Sequence, residues 1–323
     1  MDELMKIADR LLDRKPDPIP EFILLKEFKL LDPSGIALQN AYMRVCDHPM
    51  VKGIAENQNS RGFWPPFHGY SEVMIKRCLS LGLDKDHPCL QKAAGYLQNV
   101  LHGNENWDQH EKQDNIRWWP EMFVPLVSAA MLSLIDENNA VLLKQRKQWA
   151  GFAATAFAAG TYNREAEHIA QCEHFGFKTS RTIPAYGYYN LILLGSKADG
   201  LLPDDASQAL VDHCMNEAEQ MYYVYNCKLK DCPPMHTQST DSRDFCHWLR
   251  ALGIVSRFKG FEKYKGKYMD WVMEQRNADG LWELPKRYDL HNMPLSNSWR
   301  GKHGRTIDST IMVMRFIKGI HLY

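Results

Sequence analysis

A chain of 323 residues has room for one large closed architecture or two ordinary domains, and its 45% hydrophobic, 11% aromatic and 24% charged residues exclude intrinsic disorder. Lys plus Arg and Asp plus Glu number 39 each, so no net field draws the protein to nucleic acid or to an anionic membrane. The opening MDELMKIADRLLDRK has no apolar signal core, and the longest small-apolar stretch, residues 149–162, is too short to span a bilayer. A cytoplasmic protein with no integral membrane segment and no nucleic-acid partner is expected.

In chain order, residues 1–37 read as an N-terminal helical extension. Five apolar helical runs follow, at 65–82, 117–136, 180–195, 241–253 and 304–319, most of them closing on Leu-x-Leu-Gly or a near variant. Their ends lie roughly 55 to 65 residues apart, the length of two helices and two loops. Between them lie more polar, amphipathic patterns at 38–57, 87–101, 138–159, 204–225 and 261–276. Period-two β-branched runs are missing, so the class is all-α, with apolar helices inside and amphipathic ones outside. Residues 1–323 are expected to form a single domain. The eight cysteines are scattered, and several sit on apolar helical faces, as Cys78 and Cys214 do; they read as reduced, buried thiols.

Two amphipathic segments end alike. Gln58-Asn-Ser-Arg-Gly62-Phe-Trp64 and Gln275-Arg-Asn-Ala-Asp-Gly280-Leu-Trp282 both read Gln, three or four residues, Gly, any residue, Trp, and Gly103-Asn-Glu-Asn-Trp107 is a degenerate third. Gly permits the positive φ of a tight helix end, and Trp caps the turn with an apolar plate. This pattern resembles the QW repeat of the terpenoid cyclase and protein prenyltransferase superfamily, squalene-hopene cyclases among them. Over residues 38–319 the resemblance implies an (α/α) toroid of five to six helix pairs, with the Gln side chain tying one pair to the next.

If the apolar helices are the inner barrel, their N-terminal ends converge on the mouth of a central cavity. Titratable residues there are His68 and Glu72, Glu121, Asp241, Asp244 and His247, and His303 with Asp308. Class II terpene cyclases carry an Asp-x-Asp-Asp acid at the start of an inner helix, and Asp241-Ser-Arg-Asp244 is similarly placed with different spacing. Asp244, Asp241, His247 and Asp308 are therefore the candidate catalytic residues, Asp241 being equally suited to capping its helix. Candidate substrate contacts are His68, Glu72, Trp118, Trp119, Glu121, Tyr186, Tyr189, Tyr223 and His303, since aromatic faces stabilise carbocations. Protein prenyltransferases hold zinc with Asp-x-Cys and a His; Asp244-Phe-Cys246 matches the first half, but His303 is a turn too early for the second, so no metal and no cofactor are expected. The reading is a terpene cyclase-like enzyme acting by acid catalysis on an apolar or isoprenoid-like substrate. The alternatives are a carbohydrate-active lyase or glycosidase on the same barrel, or a non-catalytic binding or scaffold protein.

Overall fold

The computed structural model describes residues 2–66, 68–105, 117–178, 181–196, 200–216, 229–232, 242–284 and 294–319. Among these the protein is all-helical, without a strand. The first three helices are α1 (Asp2–Asp13), α2 (Pro18–Ile23), which runs into a π-helical turn at Leu24–Phe28, and α3 (Ile36–Cys46). Then come α4 (Pro49–Glu56), α5 (His68–Ser80) and α6 (Pro88–Leu101). A second π-helical turn, Trp119–Phe123, opens α7 (Val124–Ile135), and α8 (Leu142–Ala156), α9 (Arg164–Phe175), α10 (Tyr188–Gly195) and α11 (Asp204–Asn216) follow. The last three are α12 (Ser242–Val255), α13 (Glu262–Glu274) and α14 (Lys302–Ile317).

The apolar runs are α5, α7, α10, α12 and α14. Every residue of α10 is buried, and every residue of α7 except Pro125, whereas α13 buries only Tyr268 and Val272. These five helices neighbour one another in chain order, α5 on α7, α7 on α10, α10 on α12 and α12 on α14. The Arg315 guanidinium of α14 then donates to the carbonyl of Ser80 at the end of α5 (2.8 Å).

Two expectations about the outer helices need correction. The 38–57 pattern is two helices, because Asp47-His48-Pro49 ends one and starts the next: the His48 imidazole accepts from Met50 N–H (3.3 Å), and Pro49 occupies the first turn, where no N–H is needed. The same Asp-His-Pro sequence starts α6, where His87 accepts from Cys89 N–H (3.3 Å). Between the second and third apolar runs lies α9, an additional helix that the apolar periodicity does not announce.

The N-terminal helices join the two ends of this series. Lys26 binds the Gly82 carbonyl (2.8 Å) and Asp84 (2.7 Å) beyond α5, while Glu27 takes a bidentate pair from Arg315 of α14 (2.5 and 2.7 Å). Leu4, Ile7, Ala8 and Leu11 bury one face of α1, and Arg10 and Arg14 reach Asp279 in the turn after α13. The described cysteines are all free thiols, with Cys78, Cys89, Cys214 and Cys246 buried.

Candidate functional site

The N-terminal ends of α5, α7 and α10 bring one set of candidates together. Glu72, on the second turn of α5, is buried, and the Tyr189 hydroxyl donates to both of its carboxylate oxygens (3.1 and 2.9 Å). Lys76, one helical turn further on, stands 3.9 Å from the same carboxylate and 3.4 Å from the Tyr188 hydroxyl, over whose ring it lies at 5.2 Å. Tyr189 meets Phe123 edge-on at 5.6 Å, and Phe123 stacks on Trp118 at 5.2 Å and adjoins Trp119 at 4.7 Å. An aromatic array thus runs from a buried acid to the π-helical turn that opens α7. A π turn re-aims successive side chains relative to an α-helix, which is why such turns recur at functional sites. On α5 itself, Tyr70 and Val73 are exposed.

Other candidates fall elsewhere. Glu121 is exposed and forms a bidentate pair with Arg117 (2.7 and 2.9 Å), which holds its carboxyl below the usual range. Arg117 also donates to the Phe175 and Gly176 carbonyls, so the pair fastens α7 to the end of α9. His303 is exposed on the first turn of α14, and His247 is half-buried on α12 next to the buried Cys246. Asp241, Tyr223 and the side chains of His68 and Asp244 lie outside the described residues. Among the described residues no group of three His, Cys, Asp or Glu side chains is arranged to hold a metal ion.

Asp308 occupies a different setting from the one the helix phase suggests. It is 1% exposed, and its two oxygens accept from Leu295 N–H (2.9 Å), Ser296 N–H (3.1 and 3.2 Å) and the Ser296 hydroxyl (2.5 Å). Burial raises its pKa to about 6 against these three donors. With both oxygens engaged by backbone and serine, Asp308 clamps residues 294–297 onto α14. The catalytic assignment gives way to a holding one.

The residue that sequence reasoning missed is Glu167. It lies on α9, is 0% exposed, and accepts from the Tyr162 hydroxyl (2.7 Å) through Oε2, while Oε1 has no hydrogen-bond partner. Burial pushes its carboxyl up to about 7. Tyr186, half-buried, packs with Tyr162 (4.9 Å) and His213 (4.6 Å) above it. The available signal was spacing: Glu167 and Gln171 are four apart in REAEHIAQCEHF and so share a helical face.

A cleft of about 400 Å³ opens between the start of α11 and the residues after α12, lined by Leu202, Asp204, Ser207, Arg257, Phe258 and Lys259, and it contains none of the candidates above. The chain matches no protein-family model, no curated protein and no solved structure. No described helix is long and apolar enough to cross a membrane.

Proposed function

We propose that the chain is an (α/α) toroid similar to terpene cyclases and acts by acid catalysis on an apolar or isoprenoid-like substrate. The observation that supports this reading best is the array of Glu72, Tyr189, Phe123, Trp119 and Trp118, contributed by the starts of three successive apolar helices. Aromatic faces beside a buried carboxylate are suited to a substrate that is apolar at rest and cationic in reaction. In this proposal a carboxylic acid at the start of α12, Asp244 with Asp241 and His247 beside it, protonates an alkene or epoxide. The π bond or C–O bond breaks as the C–H or O–H bond forms, the carbocation closes along the aromatic array, and a proton is returned to the enzyme. Glu72 and Tyr189 balance the developing positive charge.

Incubation with squalene, 2,3-oxidosqualene and geranylgeraniol in D₂O tests the proposal by mass spectrometry. A cyclised product should carry solvent deuterium, bound to carbon when an alkene is the group protonated. Asp244→Asn should lower its formation by about 10²- to 10⁴-fold with the fold unchanged, the usual loss for a general acid. Failure of all three probes to bind or react, or full activity in Asp244→Asn together with Glu72→Gln, would remove this reading.

A further inference from the structure

Residues 181–187 form a strap between α9 and α10, and α9 grips its start. The buried Gln171 carboxamide donates to the Ile183 carbonyl (2.8 Å) and accepts from its N–H (3.1 Å), which fixes the backbone beside Thr182. His168 Nδ1 is 2.8 Å from the Thr182 hydroxyl, and Nε2 of the same ring is 3.7 Å from Cys172 Sγ, within hydrogen-bonding reach of sulfur. His168 and Cys172 are four apart on α9 and so share a face of it, both of them half-buried. A thiol, an imidazole and a hydroxyl are therefore lined up in contact along one edge of the helix.

The order of these groups suits a nucleophile and its base. An imidazole nitrogen is a strong acceptor and sulfur a weak one, so the pair is best bonded with the thiol donating to Nε2; Nδ1–H then donates to the Thr182 hydroxyl, which holds the ring in that tautomer. Transfer of the thiol proton to Nε2 gives a thiolate beside an imidazolium with no change in net charge. The last turn of α9 opposes an anion and favours a cation, so the thiolate depends on the imidazolium for its stability. The charged side chains that adjoin these residues in the chain, Arg164, Glu165, Glu173, His174 and Arg181, are all exposed, and Glu167 is buried against Tyr162. The other described thiols are differently placed: Cys78, Cys89, Cys214 and Cys246 are buried, and burial pushes the half-buried Cys46 and Cys232 up.

We propose that Cys172 is a thiol modification site, with His168 as its base and Thr182 as a positioning residue, and that it forms a mixed disulfide with a low-molecular-weight disulfide. His168 Nε2 takes the thiol proton, and the Cys172 sulfur attacks one sulfur of the R–S–S–R reagent. The new S–S bond forms as the reagent's own S–S bond breaks, and the departing thiolate takes the proton from the imidazolium and leaves as a thiol. Cys172 is oxidised and the reagent reduced, so no further reactant is needed. The strap also carries the Arg181 carbonyl, which receives the Trp118 indole N–H (3.1 Å). The effect of an adduct on the aromatic array rests on the functional reading above; the reactivity of Cys172 does not.

Treatment of the full chain with glutathione disulfide, the mixed disulfide being measured at each cysteine by peptide mass spectrometry, reads this chemistry without any isoprenoid substrate. At pH 7 Cys172 should react about tenfold faster than Cys46 or Cys232. An unassisted thiol slows roughly a hundredfold between pH 8 and pH 6 as its thiolate fraction falls, whereas Cys172 should slow by less than about tenfold. His168→Gln and Thr182→Val should each reduce the lead of Cys172 and steepen its profile towards that of Cys46, with the circular dichroism spectrum unchanged, and Thr182→Ser should keep both as in the native protein. Reaction of Cys172 no faster than that of Cys46 and Cys232 overturns the proposal. So does a native rate and pH profile retained in His168→Gln or in Thr182→Val, or ring ¹⁵N shifts that place the proton of neutral His168 on Nε2. Should His168→Gln fail to fold, the contrast between Thr182→Val and Thr182→Ser decides: equal rates in the two overturn the assignment.

Discussion

The turns at 59–64 and 277–282 are built alike and anchored differently. In each, an Asn N–H donates to the carbonyl four residues on (Phe63, 3.0 Å; Leu281, 2.8 Å), and the Asn carboxamide oxygen accepts from the N–H of that same residue (3.2 and 3.1 Å). Each Trp donates its indole N–H to the carbonyl ten residues back, Ile54 (2.7 Å) or Val272 (2.8 Å). A hydroxyl on the following apolar helix, Ser71 of α5 or Thr310 of α14, accepts from the Trp backbone N–H and returns a bond to its carbonyl. The anchors differ because their neighbours differ. Gln58 donates to the Gly62 carbonyl (2.8 Å) and to Cys89 at the start of α6 (2.9 Å), tying one pair to the next. At the second turn Arg276 stands in that place and pairs with Glu3 of α1. The same local motif thus serves inside the series through a buried amide and at its end through a partly exposed ion pair.

The largest effects should fall where the two turns agree. Trp64→Ala and Trp282→Ala each empty a fully buried aromatic site and should each cost about 3 to 5 kcal/mol by denaturant unfolding. A loss under about 1 kcal/mol at either one would break the equivalence. The glycines should then separate the turns. Gly62 has φ 101°, and a Cβ there would lie 2.2 Å from the Lys92 carbonyl oxygen, so Gly62→Ala should cost roughly 2 to 5 kcal/mol through backbone displacement on top of strain. Gly280 has φ 67°, and its Cβ would meet the movable Arg10 guanidinium at 3.2 Å; Gly280→Ala should cost only about 1 to 2 kcal/mol. Equal melting temperatures for the two variants would erase the distinction.

Asp308 sharpens the comparison by pH. It lies two residues before Thr310, whereas the corresponding position before Ser71 is Gly69, so only the second turn has an acid at this position. Its folded pKa, raised from 3.8 to about 6, means that the native state holds the proton more tightly than the unfolded chain. Stability from this group is full below about pH 4 and declines as pH rises to about 6, by at most about 3 kcal/mol. Asp308→Asn should flatten that part of the stability profile, measured by melting from pH 4 to 7; an unaltered slope would show that the three donors already offset burial. The smallest contrast concerns the anchors. Gln58→Ala leaves the Gly62 and Cys89 carbonyls without this partner and should cost about 1 to 3 kcal/mol, against under about 1 kcal/mol for Arg276→Ala at a partly exposed pair.

The helical class and the division into apolar and amphipathic helices were legible because burial on all faces leaves a plain mark on composition, as in FVPLVSAAMLSLI. The Gly and Trp of both turns were legible too, since few residues can do their work. The Gln was legible once. Gln275 matches by residue type, yet its amide returns to the Trp271 carbonyl of its own helix (3.4 Å), and the position equivalent to Gln58 is Arg276, set by distance to the glycine. Of the candidates, Glu72 and Tyr189 are hydrogen-bonded, and Trp118 and Trp119 reach them through Phe123, which no helix-phase argument named. Glu121 and His303 do not join them, because phase locates a residue along a helix but not the partner that turns its side chain outward. Glu167 escaped notice because its burial depends on the strap and on α11, which are remote from it in the sequence.

The docking of α1 on the turn after α13 also orders events during synthesis. Arg14 leaves the ribosome 265 residues before Asp279, the group it binds. At ordinary elongation rates that is on the order of 15 to 50 s, during which Arg10 and Arg14 have no Asp279 to bind. A nascent chain halted before residue 276 lacks the contacts of Arg10 and Arg14 to Asp279 and of Glu3 to Arg276, whereas α1 already has the turn at Leu24–Phe28 to pack on.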